Sequence, residues 1–178
     1  MQRGRKTTEQ IFPGQSTKDV SKNPLISIFI KRHRKGARCG SEGCERCCLT
    51  SCKDGTTPLH YAANGDAEAT KLLLDVGAEV NATDKDGATP LHFAASAGDA
   101  EAVALLLEKG AEVNARDKRD STPLHAAAPV SADAVRLLLD KNAEVNARDK
   151  TGATPLRLAV EVGNDEAAEL LEERGGVE

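Results

Sequence analysis

Residues 86–117 read DGATPLHFAASAGDAEAVALLLEKGAEVNARD, and most of that string recurs on both sides of it. Thr-Pro-Leu stands at Thr57–Leu59, Thr89–Leu91, Thr122–Leu124 and Thr154–Leu156, with the prolines 32, 33 and 32 residues apart. The flanking strings are DGTTPLHYAA, DGATPLHFAA, RDSTPLHAAA and TGATPLRLAV. A second phrase follows the first three: GAEVNATD, GAEVNARD and NAEVNARD. A period of this length marks stacked supersecondary units rather than one undivided globular core.

Each part of the phrase has a physical reason. Threonine before proline is a helix N-cap followed by the one residue whose missing N–H is not needed at N1. A short helix follows, such as Pro90 to Ser96. After a turn, Asp66, Asp99, Ser131 and Asn164 are good caps for a second helix. Glu68, Glu101, Asp133 and Glu166 then fall in its first turn, where the helix dipole favours acids. Leucine triplets carry that helix at 72–74, 105–107 and 137–139, and it ends at Gly77, Gly110 or Asn142. Gly and Asn enter the left-handed C-cap most easily. One helix pair cannot bury its own leucines; stacked neighbours can, at roughly 1.5–3 kcal/mol for each Leu fully buried. In the last unit Leu170-Leu171-Glu172 replaces the triplet, which reads as a polar terminal cap.

On these four copies the sequence resembles the ankyrin repeat family. The resemblance implies an all-α solenoid of four helix-turn-helix repeats with projecting hairpin tips, at 54–85, 86–118, 119–150 and 151–178. It implies binding of another protein across the tips and the concave helix face. His60, His92 and His125 lie in the TPLH phrase, where the imidazole is expected to tie neighbouring repeats. Arg157 replaces the fourth and is expected to loosen the last junction. Carried over by register, the contact positions include Lys85, Asp86, Ala88 and Ser96 in the second repeat. In the third they include Arg116, Lys118, Arg119 and Ser121, and in the fourth Arg148, Lys150 and Thr151. Tyr61 and Phe93 are the aromatic candidates, although either can equally be a packing residue. The third repeat departs from the pattern at Asp120, which takes a glycine's place, and at Pro129, which shortens a turn.

Composition narrows the function. The chain of 178 residues has four aromatic residues, too few for a base-stacking platform or an aromatic cofactor pocket. No stretch approaches the ~20 apolar residues of a membrane helix. No secretory signal is evident, and an intracellular, cytoplasmic setting is expected. No nucleophile can be placed beside a free histidine, no phosphate-binding glycine loop appears, and the acids are spread over every repeat. No catalytic residue, metal ligand or cofactor is therefore assigned.

The net charge of −4 conceals two unlike parts. Residues 1–53 hold 12 Lys+Arg against 4 Asp+Glu (12 − 4 = +8), and residues 54–178 hold 12 against 24 (12 − 24 = −12). Within the acidic part, the tips collect Lys85, Arg116, Lys118, Arg119, Arg148 and Lys150. Such an edge favours a partner with an acidic surface, although Asp84, Asp117 and Asp149 lie beside it and offset its field. A purely solubilising role for the tip cations is the competing reading.

The N-terminal arm is basic and holds all five cysteines. Residues 1–22 read as disordered from composition. Residues 23–53 read as a degenerate capping repeat: Asn23-Pro24-Leu25 opens it 34 residues before Pro58, and Cys44, Cys47, Cys48 and Cys52 share one helical face. Disordered thiols, a zinc site from Cys39, Cys44, Cys47 and Cys52, and lipidation at Cys47-Cys48 remain alternatives. Lys31-Arg32-His33-Arg34-Lys35 and Arg38 form a basic cluster. It either binds nucleic acid or an anionic membrane, weakly and with strong salt sensitivity, or lies on the protein's own acidic helices. The protein is expected to act as a monomeric, non-enzymatic scaffold. The alternative is an adaptor whose +8 arm binds nucleic acid or membrane while the repeats recruit a client.

Overall fold

The computed structural model describes residues 54–177. The arm, its cysteines and the expected capping repeat lie outside those residues. Within them the chain forms eight helices and no strand. They are α1 (Pro58–Ala63), α2 (Ala67–Asp75), α3 (Pro90–Ala97), α4 (Ala100–Glu108), α5 (Pro123–Ala127), α6 (Ala132–Asp140), α7 (Pro155–Val162) and α8 (Asp165–Glu173). Each repeat contributes one pair. First helices stack on first helices, α1 on α3 on α5 on α7, and second helices likewise, α2 on α4 on α6 on α8.

The ends of the helices are made by the residues that the phrase repeats. Asp66, Asp99, Ser131 and Asn164 accept the amides of Ala69, Ala102, Ala134 and Ala167 at 2.9, 3.0, 3.3 and 3.3 Å. At the end of α4 the Ala111 amide reaches the Leu106 carbonyl at 2.9 Å and the Gly110 amide reaches Leu107 at 3.2 Å. That is the Schellman closure, and it requires a left-handed residue. Asn142 provides it after α6 with φ 62°. The helix before Pro129 is short, with α5 five residues long against eight in α3 and α7.

The core is a thin layer of leucine, alanine and valine shared between repeats. Leu59, Leu91, Leu124 and Leu156 from the first helices, with Leu73, Leu106, Leu138 and Leu171 from the second, are all buried in one cluster. Alanine dominates because paired short helices must approach closely. Polar rungs run beside this layer. Asn81, Asn114 and Asn146 each donate to a carbonyl of the next repeat (Gly110, Asn142, Gly175). Each also accepts a next-repeat amide, from Glu112, Glu144 and Val177, at 2.8–2.9 Å.

The histidines form a second set of rungs. Each imidazole Nδ1 accepts the amide of the threonine that opens its helix, at 3.1 Å for His60 and 3.2 Å for His92 and His125. An amide can only donate, so Nδ1 carries no proton and Nε2 does. Nε2–H then donates across the junction to Ala88, Ser121 and Ala153, each at 3.1 Å. This bond always points to the following repeat. Arg157 therefore loosens no junction among the described residues, because no further repeat lies beyond it there. It instead pairs with Glu161 at 2.8 Å on the exposed end of α7. The expectation of a weakened junction is corrected accordingly.

Candidate functional site

The projecting tips are closed by aspartates. In the second tip, Asp84 Oδ1 accepts the amides of Asp86 (2.8 Å) and Ala88 (2.9 Å), and the Gly87 amide returns to the Asp84 carbonyl at 3.0 Å. Asp117 holds the Arg119 and Ser121 amides in the same way, and Asp149 holds those of Thr151 and Ala153. A carboxylate that accepts several amides fixes a turn more firmly than a neutral side chain would. At Asp149 burial opposes ionisation. The Thr151 hydroxyl and the Ala153 and Thr151 amides together outweigh it, so its carboxyl sits below the usual range.

Tips are also sewn to one another. The amides of Lys85, Lys118 and Lys150 donate to the carbonyls of Asp54, Asp86 and Arg119 in the preceding tip, at 2.7, 2.8 and 2.9 Å. Where the backbones meet, the left-handed φ of 78° at Gly87 favours glycine, while an added Cβ would make only ordinary contact, 3.4 Å from the Asp117 backbone. Asp120 occupies the same place in the third tip and takes φ 58°, a conformation that Asp tolerates better than most residues.

The eight polar residues that register assigns to partner contact, Lys85, Asp86, Arg116, Lys118, Arg119, Arg148, Lys150 and Thr151, are all exposed along this row. Their cations are not equivalent. Arg116 pairs with Glu144 of the next repeat at 2.8 Å and reaches the Arg148 carbonyl at 3.3 Å. Arg119 pairs with Asp117 at 3.3 Å. Arg148 donates to the Gly152 carbonyl at 3.1 Å, and the Lys150 ammonium donates to the Lys118 carbonyl. Among the described residues, only Lys85 and Lys118 of the six hold their charge without such a tie. Arg116 and Lys150 thus staple neighbouring repeats, while Arg119 and Arg148 are tied within their own tips.

Behind the second and third tips lies a groove of about 460 Å³. It brings together Asp86, Ser96 and Arg119 from the register assignment with the aromatic candidate Phe93. Asp84 and Asp117, read from sequence only as charges that offset the basic edge, also line it. The signal that could have found them is an aspartate three residues before Gly87, Asp120 and Gly152. Phe93 is half-buried and also packs edge-on against His60, with centroids 5.1 Å apart. It thus serves both packing and the groove wall. Tyr61 is half-buried one repeat away.

The three buried histidines are poor acid–base candidates. Burial lowers their affinity for a proton below the ordinary value, and the acceptor role of Nδ1 opposes protonation further. Both ring nitrogens are already engaged in the scaffold. Among the described residues no group of three His, Cys, Asp or Glu side chains is arranged to hold a metal ion, and no helix is long and apolar enough to cross a membrane.

A family model described as ankyrin repeats (3 copies) matches residues 20–117 and again residues 112–178. No curated protein shows significant similarity to the chain. Members of this family are in general protein–protein interaction modules without enzymatic activity. The repeating helix pairs, the tip row and the family match agree: the chain belongs to the ankyrin repeat family.

Proposed function

We propose that this chain is a non-enzymatic scaffold that docks one partner protein along its tip row and the groove behind it. The supporting observation is a division of labour. The apolar faces of the repeats are consumed by stacking, whereas the tip side chains and the groove of Asp84, Asp86, Phe93 and Arg119 remain open to a ligand. The tips are held by aspartate-closed turns and inter-tip hydrogen bonds, so little ordering entropy is lost on docking. Lys85 and Lys118 supply the uncommitted positive charge, and they meet an acidic patch on the partner. The protein works as an intracellular monomer, with residues 23–53 as its N-terminal capping repeat. The family match that starts at residue 20 favours that last assignment.

A second reading rests on the charge of the arm. Its 12 Lys+Arg against 4 Asp+Glu suit nucleic acid or an anionic membrane, with the repeats recruiting a client. Affinity capture from source-cell extract separates the two. The full chain is compared with K85E/K118E, which changes only uncommitted lysines and leaves the repeat stack intact. The scaffold reading expects a discrete protein on the wild type that the variant loses. Equal capture by both would reject the tip row as the contact surface.

A further inference from the structure

We infer that the groove behind the second and third tips receives an arginine side chain of the partner protein, seated against the Asp84 and Asp86 carboxylates and the face of Phe93, with an apolar partner residue beside it toward Val130. The inference rests on the docking face proposed above and deepens it by naming the group that this face selects.

The three tips differ at one telling position. Asp84, Asp117 and Asp149 each close a turn with Oδ1, through the amides two and four residues along. In the third tip the residue two places along is Arg119, whose Nε–H meets Asp117 Oδ2 at 3.3 Å. In the fourth it is Thr151, whose hydroxyl donates to Asp149. In the second it is Asp86, whose carboxylate cannot donate and adds a like charge. Asp84 Oδ2 and the Asp86 carboxylate therefore have no hydrogen-bond or ion-pair partner among the described residues. Lys85 does not line the groove. Asp84, Asp86 and Asp117 face one guanidinium there, that of Arg119, an excess of two negative charges (3 − 1 = 2).

Beside these carboxylates the groove is apolar. Ala88, Phe93 and Ala126 line it, and its volume of about 460 Å³ leaves room for an inserted side chain. Ser96 extends it to the C-terminal end of α3. There Val130 of the next repeat stands over Gly98, so close that a Cβ on Gly98 would lie 2.9 Å from Val130 Cγ1, and Val130 is itself exposed. Val162 follows Pro155 by seven residues as Val130 follows Pro123, and it is exposed too. Carboxylates beside an aromatic face and an aliphatic edge match a guanidinium on an alkyl stem. Its plane stacks on the ring, its N–H groups reach the carboxylates, and it is more weakly hydrated than an ammonium. An acidic side chain would meet like charge in the groove, so the partner's acids go to Lys85 and Lys118 on the outer edge. The carboxylates of α8 are the rival target for a cation; they stand on open surface, and Glu166 is already near Arg136 at 3.6 Å.

NMR titration of the isotope-labelled full-length chain with short blocked peptides tests this without any partner. The probe is an Ala/Ser peptide with a central arginine followed by valines. Its counterparts carry citrulline for arginine, which keeps the shape and the N–H groups but not the charge, or lysine for arginine, or alanine for the valines. Amide shifts are expected to centre on Asp86, Ala88, Phe93 and Ser96, and the arginine peptide should bind about fivefold tighter than the citrulline peptide at physiological salt. Asp86→Arg gives the second tip the tie that Arg119 gives the third, and is expected to abolish that preference. Glu169→Arg, the same change of charge on α8, is expected to leave it intact. Equal affinity for the arginine and citrulline peptides, shifts centred on α8, or equal loss in D86R and E169R would overturn the groove as a cation receptor. Lysine bound as tightly as arginine would overturn the guanidinium, and alanine bound as tightly as valine would overturn the apolar contact at Val130. These titrations use no partner and leave Lys85 and Lys118 in place. They can fail while K85E/K118E still loses its protein in the capture experiment, and the two failures are thus distinguishable.

Discussion

The second and fourth repeats are built on the same phrase but meet different surroundings. In the second, His92 bridges to Ser121, Ala95 is buried, and Leu107 is half-buried in the second helix. In the fourth, Arg157, Val160 and Glu172 stand at those places, and all three are exposed. The fourth keeps what serves its own fold, Thr154, Pro155, Leu156 and the Asn164 cap, and changes what would face a following repeat. The phrase therefore encodes two separable things, a helix pair and a junction.

The largest test of that separation is in the core. Leu106→Ala, buried against neighbours on both sides, is expected to destabilise by about 3 kcal/mol. Glu172→Ala at the exposed end should stay within about 0.5 kcal/mol. Denaturant melts of both variants check the pair.

Next comes the histidine rung. His92→Ala removes the two cap bonds of Nδ1, to the Thr89 amide and hydroxyl, and one across the junction, and leaves the Thr89 amide unpaired in a buried place. A loss of about 2 kcal/mol is expected. Arg157→Ala removes only an exposed pair with Glu161, worth less than about 0.5 kcal/mol. Equal losses would break the distinction between junction and end.

The same rungs set a pH dependence. All three imidazoles are neutral in the fold and bind a proton less readily than in the unfolded chain. As pH falls below about 6.5 the unfolded chain takes up protons first, so stability drops. The slope is at most about 1.4 kcal/mol per pH unit for each histidine. Above that pH the histidines contribute no slope. Melts from pH 7.5 to 5 should show the fall, and H92A should flatten it by its share.

The smallest effect lies in the first repeat. Thr70 stands where Val103 and Val135 stand, buried, with a hydroxyl that has no hydrogen-bond partner among the described residues. Thr70→Val should stabilise by about 1 kcal/mol. Thermal denaturation of T70V alongside wild type checks the sign.

Much of this was readable in the phrase. Helix starts follow from Thr-Pro, second-helix caps from Asp66, Asp99, Ser131 and Asn164, and the polar end from Glu172, because these are local chemistry. The role of the tip aspartates was not. Asp84 looks like one more surface charge until its Oδ1 is seen to hold the amides two and four residues along. The ties of the tip cations were hidden for a related reason. Arg116 and Lys150 lie next to their partners only after neighbouring repeats are stacked, and no spacing within one repeat records that. The direction of the histidine bond, toward the following repeat, is equally a property of the stack.

On the proposed function, the open face of the repeats, rather than the basic arm, selects the partner. Side-by-side capture with K85E/K118E and with a full-length chain carrying K31Q/R32Q/R34Q/K35Q/R38Q tests it most directly. The account predicts that the first loses the partner and the second retains it, with equal recovery. Loss in the arm variant with retention in the tip variant would contradict it.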